Sequence, residues 1–242
     1  MNYYEIRNVD LSRPFYVASE LFHSSYQRFD GDVTAINRNP GANINMIPFA
    51  QGIFVTWRPR AKKILLKEFN SIFTYPMFNM FVFVTPAHGT YAWHREGTQN
   101  LHRLPGETQE YIQLNNVRRN CAINYNLNNS DLSKSKLYWG KASKEANDLI
   151  NDNYHNVYPE QGFLHVENKV GLAVGFESVL DQNLIRKTDE YVGLDVPVLI
   201  KTDDFHMIDN TECEHDRIAG TVSFGPNMMF DGIKNMITNM AK

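Results

Sequence analysis

Apolar residues fall along this chain in short runs separated by Gly, Pro, Asn and Asp, and the period of those runs changes from place to place. Residues 1–60 mix brief apolar stretches with turn chemistry, most plainly in NRNPGANIN at 37–45, and show no strong period. In residues 59–73, Ile64, Leu65, Phe69, Ile72 and Phe73 recur at helical spacing, which predicts a helix packed on the body of the fold. MFNMFVFV, at 77–84, is continuous and rich in aromatic and β-branched side chains, as a strand buried on both faces requires. Further strand-like runs follow at 119–127, at 162–167 continuing through 170–176, at 196–202 and at 217–224. Between 133 and 158 the chain turns polar, and KASKEANDLINDNY reads as a short helix or a surface insertion. At 231–242, Ile233, Met236, Ile237 and Met240 form one stripe behind an Asp231 cap, predicting a closing amphipathic helix. Many short strands with turns between them predict a mainly β protein with flanking helices, a sandwich or barrel of the jelly-roll kind. A single domain is expected: a helical or irregular extension over 1–79, a jelly-roll core over 80–228 and the helix at 231–242.

Composition narrows the function classes. The net charge is −3 and charges of both signs are dispersed, so no electrostatic footprint for a nucleic-acid backbone is present. Cys121 and Cys213 lie far apart, outside any CxxC spacing, which indicates neither a zinc cluster nor a disulfide framework. No basic segment followed by an apolar stretch opens the chain, and the longest apolar run is too short to span a bilayer. A cytoplasmic protein that engages neither a membrane nor nucleic acid is expected. The terminal helix is available for packing on the domain or for a homodimer.

Candidate chemistry lies in the histidines. Two His-x-Glu pairs occur, His94/Glu96 and His165/Glu167. Residues i and i+2 of a strand share a face with α-carbons ~6.6 Å apart, so either pair could converge on one ion. A third ligand must come from a later strand. The interval from His165 to His206 is too short for the strands a jelly roll needs in between, whereas His94 to His206 has room. Glu96 is followed by Gly97, which permits a sharp turn beside an ion. Two histidines and one carboxylate hold one face of a ferrous ion and leave the other open. Arg217 follows His206 by eleven residues, room for a strand end and a hairpin, and enters the apolar run IAGTVSF. Burying that arginine unpaired is costly, so an anion is expected beside it. Glu212, Glu214 or Asp216 could serve structurally, while the small Ala219 and Gly220 would make room for a ligand.

These residues resemble the Fe(II)/2-oxoglutarate-dependent oxygenases, and within them the short members common in phages and marine bacteria. The likeness covers roughly residues 80–225. It is carried by His94-Arg95-Glu96-Gly97, by Arg119-Asn120-Cys121-Ala122-Ile123-Asn124 with Trp139 behind it, and by Pro197-Val198-Leu199-Ile200-Lys201-Thr202 leading to His206 and Arg217. Glu96 stands where those proteins more often have aspartate. The resemblance implies a double-stranded β-helix in which His94, Glu96 and His206 bind iron and Arg217 pairs with the distal carboxylate of 2-oxoglutarate. Dioxygen would be the oxidant and ascorbate a stimulant. Asn124, Thr221 and Ser223 would assist the co-substrate, and Tyr91, Trp93, Trp139 and Phe205 are further candidates to line the pocket. The implied reaction is hydroxylation of a small molecule or a protein, with an amino-acid side chain as the leading target. The alternative is a catalytically silent jelly-roll binding or structural protein, viral in character, that retains the motif as a relic.

Overall fold

The computed structural model describes residues 1–49, 52–73, 77–96, 120–128, 130–144, 176–178, 185–224 and 228–240. Among them twelve strands build two antiparallel sheets. The strands are β1 (Tyr3–Glu5), β2 (Ile44–Phe49), β3 (Gly52–Trp57), β4 (Met77–Thr85), β5 (Thr90–Glu96), β6 (Cys121–Asn126), β7 (Lys136–Ala142), β8 (Phe176–Ser178), β9 (Ile185–Val192), β10 (Val198–Lys201), β11 (Phe205–Asp209) and β12 (Arg217–Phe224). The larger sheet runs β1-β10-β6-β12-β4-β3-β2 and the smaller runs β8-β5-β11-β7-β9. From β4 to β7, and again from β9 to β12, each successive strand lies in the opposite sheet. That alternation is the winding of a double-stranded β-helix, the expected jelly roll.

The larger sheet is buried on both faces, and parity along its strands separates two environments. On β12, Ile218, Val222 and Phe224 face the helices, whereas Ala219 faces the smaller sheet. The helices are α1 (Ser12–Tyr26), α2 (Val33–Arg38), α3 (Pro59–Asn70) and α4 (Phe230–Asn239). Phe15 and Phe22 of α1, Leu65 and Phe69 of α3, and Ile233 and Ile237 of α4 close over the outer face of the larger sheet. Each such side chain contributes about 1.5–3 kcal/mol relative to exposure. Between the sheets, Tyr91, Leu137, Trp139 and Ile208 meet Val198, Ile200 and Ala219.

Local chemistry explains the helix ends. Asp32 caps α2 by accepting from the Thr34 and Ala35 amides at 2.8 and 3.1 Å. Pro59 opens α3, where its missing N–H costs nothing. Of the expected stripe, Leu65, Phe69 and Phe73 are buried, Ala61 extends it one turn earlier, and Ile64 alone turns outward at 38% exposed. For α4, Met229 occupies the cap position and Asp231 lies inside the first turn, where its charge faces the positive end of the helix.

Two regions differ from expectation. The N-terminal stretch is more ordered than its pattern indicates, since β1 pairs with β10 and β2-β3 extends the larger sheet from β4. The polar segment at 133–158 contains β7, which lies between β11 and β9 in the smaller sheet, so its first part is core rather than insertion. The expected strands at 162–167 and 170–175, with His165 and Glu167, and the expected helix beyond 144 lie outside the described residues.

Candidate active site

The site begins with two histidines on neighbouring strands of the smaller sheet. His94 of β5 stands opposite His206 of β11, and their ring centroids are 4.3 Å apart. Both are 3% exposed. Simple alternation along β5 would not bring Tyr91 and His94 to the same face. It happens because Ile208 pairs with Tyr91 while His206 pairs with His94: two steps on β11 match three on β5. Ala92 and Trp93 therefore stand opposite Met207 alone, a β-bulge of the kind that re-aims side chains. The Tyr91 ring meets His94 edge-on, with centroids 4.6 Å apart.

Hydrogen bonding assigns the state of His206. Its Nδ1 lies 2.9 Å from the Asp204 carbonyl, which can only accept, so Nδ1 carries the proton and Nε2 keeps its lone pair. Burial pushes the imidazole down to about 4, the nearby Arg217 charge adds to that, and the Asp204 carbonyl bond opposes it. The ring is therefore neutral near pH 7. A neutral imidazole oriented through its second nitrogen is the form in which histidine binds a metal.

Arg217 opens β12 in the larger sheet and is 2% exposed. It lines one cavity with His94 and His206, together with Phe83, Asn124, Ala219 and Thr221. The enclosed space of this cavity is about 20 Å³, room for about one water. Burial draws the guanidinium down to about 10, which leaves it protonated at neutral pH. Each acid expected to neutralise it is engaged elsewhere. Glu212 takes Lys136 at 3.2 Å, Glu214 lies 3.6 Å from His88, and Asp216 accepts from the Ala87 amide at 2.9 Å. Among the described residues no carboxylate pairs with Arg217.

The other expected residues divide between two faces. Thr221 and Asn124 are cross-strand partners that line the cavity, and among the described residues Asn124 Oδ1 has no hydrogen-bond partner. Ser223, although on the Arg217 face of β12 by parity, does not line it. Tyr91 lines the cavity as expected. Trp93 and Phe205 do not: they lie on the opposite face of the smaller sheet with Tyr138 and Ile185. Trp139 is core, its Nε1 donating to the Lys201 carbonyl at 3.0 Å and its ring stacked on Tyr3. Gly220 makes no room for a ligand, because a Cβ there would stand 2.9 Å from Leu127 Cδ2 on the helix side. Glu96 closes β5 opposite Phe176, and its side chain lies outside the described atoms. Among the described residues no cluster of three His, Cys, Asp or Glu side chains forms. Sequence reasoning missed the apolar wall of Phe83, Leu137, Ile200 and Ile208. The cross-strand neighbours of Ala219 and Ile208 would have pointed to Phe83 and Leu137 had the pairing been known.

No protein-family model and no curated protein matches the chain. Among solved structures it resembles the non-heme α-ketoglutarate-dependent carbocyclase SnoK of nogalamycin biosynthesis, with 11% identity and a TM-score of 0.47 over 93% of this chain and 79% of that one. The epimerase SnoN, bound to Fe3+ and α-ketoglutarate, gives 8% identity and a TM-score of 0.46 over 94% and 80%. HygX from Streptomyces hygroscopicus, with nickel, 2-oxoglutarate and hygromycin B, gives 11% identity and a TM-score of 0.40 over 93% and 83%. The likeness runs to 2-oxoglutarate proteins. At these TM-scores it carries no weight for the chemistry, which rests on the residues themselves.

Proposed function

We propose that this protein is an Fe(II)- and 2-oxoglutarate-dependent oxygenase, with His94, Glu96 and His206 as metal ligands and Arg217 as the anchor of the co-substrate. The observation that carries this reading is a buried, protonated arginine with no carboxylate partner among the described residues, sharing one cavity with two buried histidines. The donor set fits the metal. His206 is neutral and oriented by a carbonyl, and His94 stands against it, as two neighbouring imidazole ligands must. The anchor fits the co-substrate, since a planar guanidinium binds a carboxylate through two parallel hydrogen bonds. When bound, iron with 2-oxoglutarate and dioxygen supplies the oxidation of an unactivated C–H bond.

The chain's own residues do the rest. Thr221 donates its hydroxyl to the carboxylate held by Arg217, and the Asn124 amide, beside it across the strands, supplies a second polar contact. Phe83, Tyr91, Leu137 and Ile208 exclude water, which strengthens the charge pairing at Arg217. The substrate class is an amino-acid side chain, free or within a protein, and the reaction its hydroxylation. Dispersed charge and a net −3 favour this over nucleic acid. Ascorbate would restore ferrous iron.

The test is anaerobic titration with Fe(II) and 2-oxoglutarate, followed by visible absorption, with succinate measured when air is admitted. An absorption band and succinate release are expected. Absence of both, with no iron bound, replaces this reading with a metal-free binding or structural jelly roll.

A further inference from the structure

We infer that Trp93, seated on Gly140 across the outer face of the smaller sheet, is the positioning residue that holds the β5 bulge and so aims His94 at His206. The inference deepens the proposed site and rests on that reading only where metal affinity is concerned. Three observations meet here. The bulge is confined to Ala92 and Trp93, which face Met207 alone. Trp93 is 3% exposed and packs with Tyr138, Ile185 and Phe205 on the face turned away from the cavity. Gly140 is the bare patch of β7 on which it rests: a Cβ there would collide with Ile185 Cγ2 and stand 3.0 Å from Trp93 Cη2 and Cζ3.

The physical reason lies in strand parity. Without an extra residue, a strand cannot turn positions 91 and 94 to the same side. A bulge sacrifices regular ladder pairing, so something must favour it over the unbulged alternative. A one-residue slip that removes the bulge sets residue 93 opposite His206, putting an indole in the cavity and an imidazole outside. Burial of the indole over Gly140 opposes that slip, because only a glycine lets the ring approach β7 so closely. Trp93 thus acts through the backbone on its neighbour and touches neither metal nor co-substrate.

The test uses the metal-free full chain with labelled histidines. An NOE between the His94 and His206 rings is expected in the wild type, whose centroids lie 4.3 Å apart. Trp93→Ala should lose that NOE and lower Co(II) affinity by about 10–100-fold, the range for residues that orient ligands without touching the metal. Trp93→Phe, which keeps an aromatic ring over Gly140, should restore both. Gly140→Ala is the second variant and decides the matter if Trp93→Ala does not fold: its methyl forces Ile185 aside and crowds the indole edge seated there, so it should weaken the NOE and the affinity while circular dichroism stays native. A folded Trp93→Ala or Gly140→Ala that keeps both the ring contact and wild-type affinity overturns the inference, as does a wild type without the ring NOE. If the variants lose the contact as expected and no version binds metal, Trp93 stands as the positioning residue and the oxygenase reading falls.

Discussion

Strands β12 and β5 each bring a candidate functional residue to the same cavity, but by different means. In β12 alternation is unbroken: Arg217, Ala219 and Thr221 line the cavity while Ile218, Val222 and Phe224 enter the core under the helices. In β5 alternation fails at Ala92 and Trp93, and only that failure lets Tyr91 and His94 share a face. A regular strand distributes its roles by parity, so its environment can be inferred from one known residue. A bulged strand uses a local irregularity to place a side chain where parity would not, and bulges concentrate beside active sites for that reason.

The largest expected effect lies across the bulge. His206→Ala should abolish ferrous or Co(II) binding, whereas His165→Ala should leave it close to wild type, as measured by metal titration under anaerobic conditions. Equal effects would remove His206 from the ligand set and the bulge from the site.

On β12 the two faces should separate stability from binding. Phe224→Ala acts on the helix side, where the ring meets Phe73 edge-on at 5.6 Å, and should cost about 3–5 kcal/mol in urea unfolding. Co-substrate affinity measured well below the unfolding midpoint should be unchanged. Arg217→Met acts on the cavity side in the opposite sense. Losing one partner of a buried charge pair should weaken 2-oxoglutarate binding by about 2–5 kcal/mol, read by calorimetry on metal-loaded protein. Stability of the ligand-free chain should hold or rise, because a buried charge with no counter-charge among the described residues is replaced by an apolar side chain of similar length. A large loss of stability would show that Arg217 is structural.

The same contrast marks what was legible in the sequence. The bounds of β12 agree with the apolar run at 217–224, because a strand buried on both faces is apolar throughout. β4 is legible for the same reason. β7 was hidden, since LYWG is flanked by lysines and sits at the head of a polar segment. So was β9, an edge strand whose exposed positions carry Arg186, Lys187 and Glu190. In α1 the buried positions Pro14, Phe15, Ala18, Phe22 and Ser25 include a proline and a serine, and the start has no side-chain cap at Leu11, so the helical period was weak. The spacing of His94, His206 and Arg217 singled out three residues that the fold brings to one cavity. The placement of Tyr91 beside His94 was not legible, because a bulge depends on cross-strand packing that no single segment contains, whereas Trp93 and Phe205, each next to a cavity-facing histidine, follow from parity.

The smallest expected effect gives the finest test of parity on β12, since Ala219 and Gly220 are adjacent and face opposite ways. Gly220→Ala sets a methyl 2.9–3.1 Å from the Leu127 side chain on the helix side. Leu127 must shift, and the loss should be about 1 kcal/mol after allowing for the reduced freedom of the unfolded chain. Co-substrate affinity should not change. Ala219→Val instead adds two methyl groups to the cavity wall beside Arg217, where the enclosed space is only about 20 Å³, so some stability should be lost to crowding as well. The added bulk also crowds the place beside Arg217 that 2-oxoglutarate would occupy, so affinity should fall while metal binding stays intact. If both variants altered affinity alike, the two faces of β12 would not be independent, and the separation of core from site by strand parity would fail where the strand is most regular.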